Sequence, residues 1–229
     1  MRVRASVLWI AGWLFACGWA REARSQAEAT PFSISSVHFE QNATDGDVEV
    51  VFEVRGGADG LAELTIVSPD GRTVIDFKAP DSSTMGMRSF RFESPEPSDV
   101  ELLENAYPEG DYAFSGRTFS GEKLAGTSTL GHGLPQTATF RVPAADAEGV
   151  PVKNLEISWG GVSGITSYHL ELAQEGSDTS ISAVLPGTTT SFRVPDGFAQ
   201  AETEYQLSIG TVDEEGNISF VETFFKTGK

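Results

Sequence analysis

Cysteine is almost missing from this sequence: Cys17 is the only one in 229 residues. It sits in an apolar N-terminal stretch, so the rest of the chain can form no disulfide, and a disulfide-pinned antibody-type domain is excluded. Stability must come from apolar cores alone. Tryptophan is equally sparse. Of four Trp, only Trp159 lies beyond Trp19, which weakens any reading as an indole-lined sugar platform. Basic residues number 16 against 33 acidic ones, for a net charge of −17. Such a field repels nucleic acid and anionic lipid headgroups, and it permits a cationic partner or Ca²⁺. Its plainest role is solubility. No second long apolar run follows the N-terminal one, so the body of the chain reads as soluble.

Motifs for chemistry are missing too. His38, His132 and His169 are the only His residues, and none stands at metal-ligand spacing from a Cys or a second His. There is no Gly-x-Ser-x-Gly elbow and no Walker loop. His132, in the loop Gly131-His132-Gly133, is the one residue placed where a base or ligand could work. His169 follows Tyr168 in a strand pattern and is expected to face solvent. The acidic turns Asp45-Gly46-Asp47 and Asp213-Glu214-Glu215-Gly216-Asn217 offer carboxylates but lack the spacing of a Ca²⁺-binding EF-hand loop. They read as turn chemistry. Asn42-Ala43-Thr44 and Asn217-Ile218-Ser219 are glycosylation sequons, meaningful only in a eukaryotic secretory route. The expectation is therefore no enzyme, no catalytic or metal-binding residue and no cofactor.

What is present begins with an export pattern. Arg2 and Arg4 precede an uncharged run from Val7 to Ala20, and small residues follow at spacing two, Ser25 with Ala27 and Ala27 with Ala29. That order predicts a signal peptide over residues 1–27, cut after Ala27, with Ala20 and Ala29 as alternative sites. The run falls short of the roughly 20 apolar residues that span a bilayer. Leu14-Phe15-Ala16-Cys17 resembles the bacterial lipoprotein box, in which the Cys carries the lipid, although Phe15 departs from its pattern. Lipid on Cys17 would be the chain's one route to a membrane. Removing residues 1–27 leaves 12 basic and 32 acidic residues, a net charge of −20.

From residue 32 onward, period-two alternation dominates. Val48, Val50, Phe52 and Val54 alternate with Glu49, Glu53 and Arg55, a half-buried strand. Apolar pairs flank the turn Ser68-Pro69-Asp70-Gly71, which predicts a hairpin. Further short strands surround Phe90, Tyr112-Ala113-Phe114 and Leu124–Leu130. One interruption is helical: Ser98-Asp99-Val100-Glu101 reads as a capping box opening a helix over Val100–Ala106. The second half holds about seven strands in about 90 residues, the pattern of an immunoglobulin-like sandwich. Pro143 to Pro151 is a candidate linker, with a strand over Thr137–Val142 before it. The predicted organisation is all-β: signal peptide 1–27, one sandwich over 32–135 and a second over 136–229.

Trp159 with the glycines after it, Tyr168, Phe192-Arg193-Val194 and Thr203-Glu204-Tyr205 carry a resemblance, completed by Asp213 to Asn217 before the last strand. Residues 152–227 resemble a fibronectin type III domain. The resemblance implies that Trp159 is a core residue and that Tyr205 is the tyrosine-corner residue, its hydroxyl bonded to backbone within 196–201. Tyr168, in mid-strand, is expected to reach water with its hydroxyl. Residues 32–135 look more loosely like an immunoglobulin-like domain of the bacterial surface type. The fold hosts many activities. The functional expectation is a non-catalytic exported interaction or scaffold protein, periplasmic, secreted or lipid-anchored. Its first-choice partner is protein and its second polysaccharide. A carbohydrate-binding accessory module is the alternative, and a hydrolase the remotest.

Overall fold

The computed structural model describes residues 29–79, 81 and 85–229. The expected signal peptide and Cys17 lie outside them.

The first half forms strands β1 (Thr30–Pro31), β2 (Ile34–Asn42), β3 (Asp47–Arg55), β4 (Leu61–Val67), β5 (Thr73–Lys78) and β6 (Ser89–Glu93), then helix α1 (Val100–Ala106), β7 (Gly110–Thr118) and β8 (Lys123–Leu130). The second half forms β9 (Phe140–Val142), β10 (Ala147–Val150), β11 (Glu156–Trp159), β12 (Ser167–Gln174), β13 (Ser180–Pro186), β14 (Ser191–Arg193), β15 (Glu204–Val212) and β16 (Ile218–Thr227). Alternation drives these elements. In β3, Val48, Val50, Phe52 and Val54 are buried in the core while Glu49 and Glu53 face outward.

The two halves repeat one topology. In the first, β2-β3-β6 form one sheet face and β8-β7-β4-β5 the opposing sheet. In the second, β9-β11-β14 face β16-β15-β12-β13. Numbered within its own sandwich, each reads 1-2-5 against 7-6-3-4. Each last strand also carries a short parallel partner, β1 on β8 and β10 on β16. The first half, only loosely immunoglobulin-like in its residues, thus has the strand order of the second. Each sandwich has its own core, one around Phe52, Leu64, Ile66 and Phe114, the other around Trp159, Leu170, Leu207 and Ile209.

Tyrosines pin both sandwiches. Tyr205 is fully buried, its hydroxyl accepting the Gln200 N–H at 2.9 Å and lying 3.5 Å from the Phe198 carbonyl. That is the corner the resemblance implies. Tyr112, equally buried, donates to the Pro108 carbonyl at 3.1 Å and serves the first sandwich in the same way at the start of β7. Tyr168 corrects the expectation for it. Its ring meets Trp159 edge-on at 5.3 Å, and its hydroxyl accepts the Val162 N–H at 2.8 Å, away from water. The loop before β12 folds back over the strand end and buries the hydroxyl.

Two further expectations change. Helix α1 is where it was predicted, but Asp99 caps it, accepting the Glu101 N–H at 3.1 Å. The cap lies one residue nearer than a Ser98 box requires. The Pro143–Pro151 stretch is no linker, since it carries β10, paired with the far end of β16. Residues 131–139 make the connection instead.

Candidate functional site

The sandwiches join edge to edge. The start of β16 pairs in parallel with the end of β2, Ile218 opposite Glu40 and Phe220 opposite Asn42. Because β10 covers only the far end of β16, its first half is an open edge, and β2 closes it. The result is one sheet across both sandwiches, β13-β12-β15-β16-β2-β3-β6. The Ala43 N–H continues the ladder to the Phe220 carbonyl at 2.9 Å, and Thr44 Oγ1 accepts the Glu222 N–H at 2.8 Å.

Asn217 locks this seam. It is 1% exposed. Its Oδ1 accepts the Phe39 N–H at 2.8 Å, and its Nδ2 donates to the carbonyls of Gly131 and Gly133 at 3.1 and 2.7 Å. One side chain therefore ties β2, β16 and the connector. Asp213 holds the turn in front of it, accepting the N–H groups of Glu215 and Asn217, both at 2.9 Å. His132 is a second brace. Its ring stacks on Phe39 at 4.7 Å, and Nε2 donates to the Tyr107 carbonyl at 2.8 Å. Asp45 is likewise a turn residue, accepting the Asp47 N–H at 3.2 Å.

Three adjoining hollows form a trough on the outer face of the joined sheet, and Phe220 borders all three. A glycine makes that placement. A Cβ on Gly210, opposite Phe220, would stand 2.5 Å from the ring, so only glycine lets the ring lie flat against β15. Beside it opens a cleft of about 320 Å³. The first sandwich lines it with Glu40, Asp47, Glu49 and Glu96, the second with Glu171 and Glu222. Glu171, Ser208 and Glu222 stand in one row across β12, β15 and β16. Ser208 is 9% exposed, faces this cleft and has no side-chain hydrogen bond among the described residues.

The charge here is strongly one-sided. Among the described residues, Arg91 is the one Lys or Arg lining the hollows, and it is ion-paired to Glu40, Glu53 and Glu93. Burial opposes the charge on Arg91, but the hydrogen bonds it donates to those carboxylates outweigh it and raise its pKa. Burial likewise works against the Glu40 carboxylate, yet hydrogen bonds from His38 and Arg91 keep its pKa below the usual range. The Glu49 carboxylate has no such donors among the described residues. Burial, then repulsion from Glu93 and Glu40, pushes it up to about 7. Among the described residues, Asp47, Glu49, Glu96, Glu171 and Glu222 have no Lys, Arg or His ion-pair partner. No three His, Cys, Asp or Glu side chains among the described residues converge as metal ligands do.

The sequence-level candidates distribute as follows. His38 and His169 line the trough, where His38 is buried and sits 3.4 Å from Glu40. His169 is half-buried rather than free in solvent, and burial lowers its pKa. His132 stands at the seam as a brace and lines none of the hollows. The sequon residue Asn217 is buried, so the folded chain does not present it for modification. Phe220, Ser208, Gly210 and Asn217's clamping role escaped sequence reasoning. The available signal was an aromatic residue on the strand face that also carries Glu222 and Lys226.

Comparison with known proteins adds likeness of fold. No protein-family model matches the chain, and no curated protein matches it. Among solved structures, the FN1–FN3 domains of chicken CNTN1 are 10% identical, with 88% of this chain and 70% of that one covered at a TM-score of 0.35. The segment of two fibronectin type III domains from chicken tenascin is 14% identical, covering 86% and 99% at 0.32. The fibronectin(III)-like modules of Clostridium thermocellum CbhA are 9% identical, covering 89% and 92% at 0.33. The chain is a tandem of two fibronectin type III-like sandwiches by its own strand order and tyrosine corners.

Proposed function

We propose that this is a non-catalytic protein-interaction or scaffold protein working outside the cytoplasm, with the trough between its sandwiches as the contact surface. One observation carries the reading: a single sheet joins the two domains and fixes a concave face between them. Domains on a flexible tether present no fixed surface between them, whereas a shared sheet removes the hinge. Export rests on the Arg2/Arg4 start and the apolar run to Ala20. Protein is favoured over polysaccharide because, among the described residues, the trough offers one Phe, Tyr or Trp plate, Phe220, where a sugar chain would need several.

Site-specific photo-crosslinking in the native host tests this. Val184, at the trough margin, is 70% exposed, and Val142, on the opposing sheet, is 50% exposed. A photoreactive residue at 184 should yield a discrete protein adduct in the extracytoplasmic fraction, and one at 142 should not. Adducts to polysaccharide would favour the accessory-module reading. Equal labelling from both positions would remove the trough as the working surface.

A further inference from the structure

The trough's chemistry specifies its occupant, on the reading that the trough is a contact surface. We infer that it receives an extended segment of a partner protein bearing lysine or arginine side chains, one of which lies against Phe220. Three observations converge. First, among the described residues Asp47, Glu49, Glu96, Glu171 and Glu222 surround the cleft without basic ion-pair partners, and the one arginine lining the trough is already shared among three carboxylates. Like charges gathered from two domains raise the energy of the empty cleft, and a cation relieves it. Second, Ser208 is 9% exposed and lines the cleft, and its side chain has no hydrogen-bond partner among the described residues. That hydroxyl opens onto the cleft and is placed to accept a hydrogen bond from a donor reaching in from above. Third, the Phe220 ring is held flat by Gly210 and half-exposed at the centre of the acidic field. A guanidinium or ammonium over an aromatic face within such a field gains cation–π attraction as well as charge pairing.

The spread of the carboxylates sets the size of the ligand. From Glu171 on β12 to Glu49 on β3 the sheet runs through β15, β16 and β2, which is about 19 Å along its surface at the usual strand spacing. A single ion or amine cannot meet both ends, but about six extended residues can. The carboxylates do not converge on one point, which fits several cationic side chains better than one chelated ion.

The test uses the whole protein and a short fluorescein-labelled peptide of alternating lysine and serine, with binding followed by anisotropy at low and raised salt. Binding should weaken with salt. Glu171→Gln with Glu222→Gln should weaken it about tenfold, and Phe220→Leu, which leaves the charge intact, several-fold. Glu148→Gln with Glu156→Gln removes the same charge from exposed positions on β10 and β11, and should leave affinity within about twofold. Thermal melts confirm that each variant is folded. An equal loss in both double variants would mean a diffuse field and would overturn the inference. So would absence of peptide binding, or a neutral oligosaccharide competing for Phe220. If the peptide fails while position 184 still crosslinks to protein, the ligand chemistry is wrong and the contact surface stands. Failure of both removes both.

Discussion

Replacing Asn217 with alanine tests whether one buried amide holds the two sandwiches together. The substitution removes one acceptor and two donors at once. The Phe39 N–H lies in a fully buried setting and loses its only partner, Oδ1 at 2.8 Å. Leaving such a group unsatisfied costs about 1–3 kcal/mol. The Gly131 and Gly133 carbonyls lose Nδ2, but Gly133 is exposed and Gly131 half-buried, so water restores much of what they lose. They add about 1 kcal/mol together. The sum for Asn217→Ala is about 2–4 kcal/mol, and it falls on the seam rather than on either core. Asn217→Asp sharpens the test, since it keeps the acceptor for Phe39 yet turns a carboxylate oxygen toward two carbonyls. It should be at least as damaging as alanine near neutral pH and milder in acid, where a protonated carboxyl donates again. Urea unfolding of the whole protein, followed by Trp159 fluorescence and by circular dichroism, reads the stability. Small-angle scattering in native buffer reads whether the angle between the sandwiches loosens. An alanine variant within about 0.5 kcal/mol of the parent, with an unchanged scattering curve, would refute the clamp.

Other outcomes follow from the same structure. Tyr205→Phe and Tyr112→Phe should each destabilise by about 1–3 kcal/mol, and Tyr168→Phe should match them because its hydroxyl is the acceptor for the Val162 N–H. A Tyr168→Phe variant indistinguishable from the parent in urea would show that this hydroxyl bond adds nothing. Glu49 carries a pH signature. Its folded pKa of about 7 exceeds the ordinary 4.5, so the folded chain holds a proton the unfolded one has released, and stability falls as pH rises between those values. Glu49→Gln should flatten that slope by about 1 kcal/mol after solvent screening; parallel melting curves for parent and variant across this range would argue that neither burial nor the neighbouring carboxylates hold a proton on Glu49.

Strand alternation and turn chemistry are local signals, and they were legible. The hairpin at Ser68–Gly71 forms as read, with the Ser68 N–H bonded to the Arg72 carbonyl at 2.9 Å and Gly71 at a positive φ of 85°. The tyrosine corner at Tyr205 was legible because the strand start and the turn before it lie within a few residues of each other. The capping residue was misjudged by one position because Ser98 and Asp99 both suit a cap, and backbone geometry selected Asp99. Tyr168 was misread because its partner, Val162, belongs to an irregular loop whose path alternation does not encode.

The seam and its trough were not legible, for a physical reason. Parallel pairing between β2 and β16 joins residues about 180 positions apart, and no turn announces it. Each acidic residue of the trough reads alone as the ordinary outward member of an amphipathic strand: Glu40 on β2, Glu49 on β3, Glu171 on β12, Glu222 on β16. Only the seam brings them together. Two residues nonetheless broke their local pattern. Phe220 is an aromatic on the face of β16 that also carries Glu222, and Gly210 stands directly opposite it on the face of β15 that carries Gln206 and Ser208. A bulky residue on a supposed solvent face, across from a glycine that would weaken a strand, has no use in an isolated sandwich. Asn217 was hidden by a competing motif, since its sequon drew attention to modification at the surface while its amide is consumed inside. The residues that contradicted a two-bead reading of this chain are the ones that join the beads, and the trough they form is where its chemistry is to be sought.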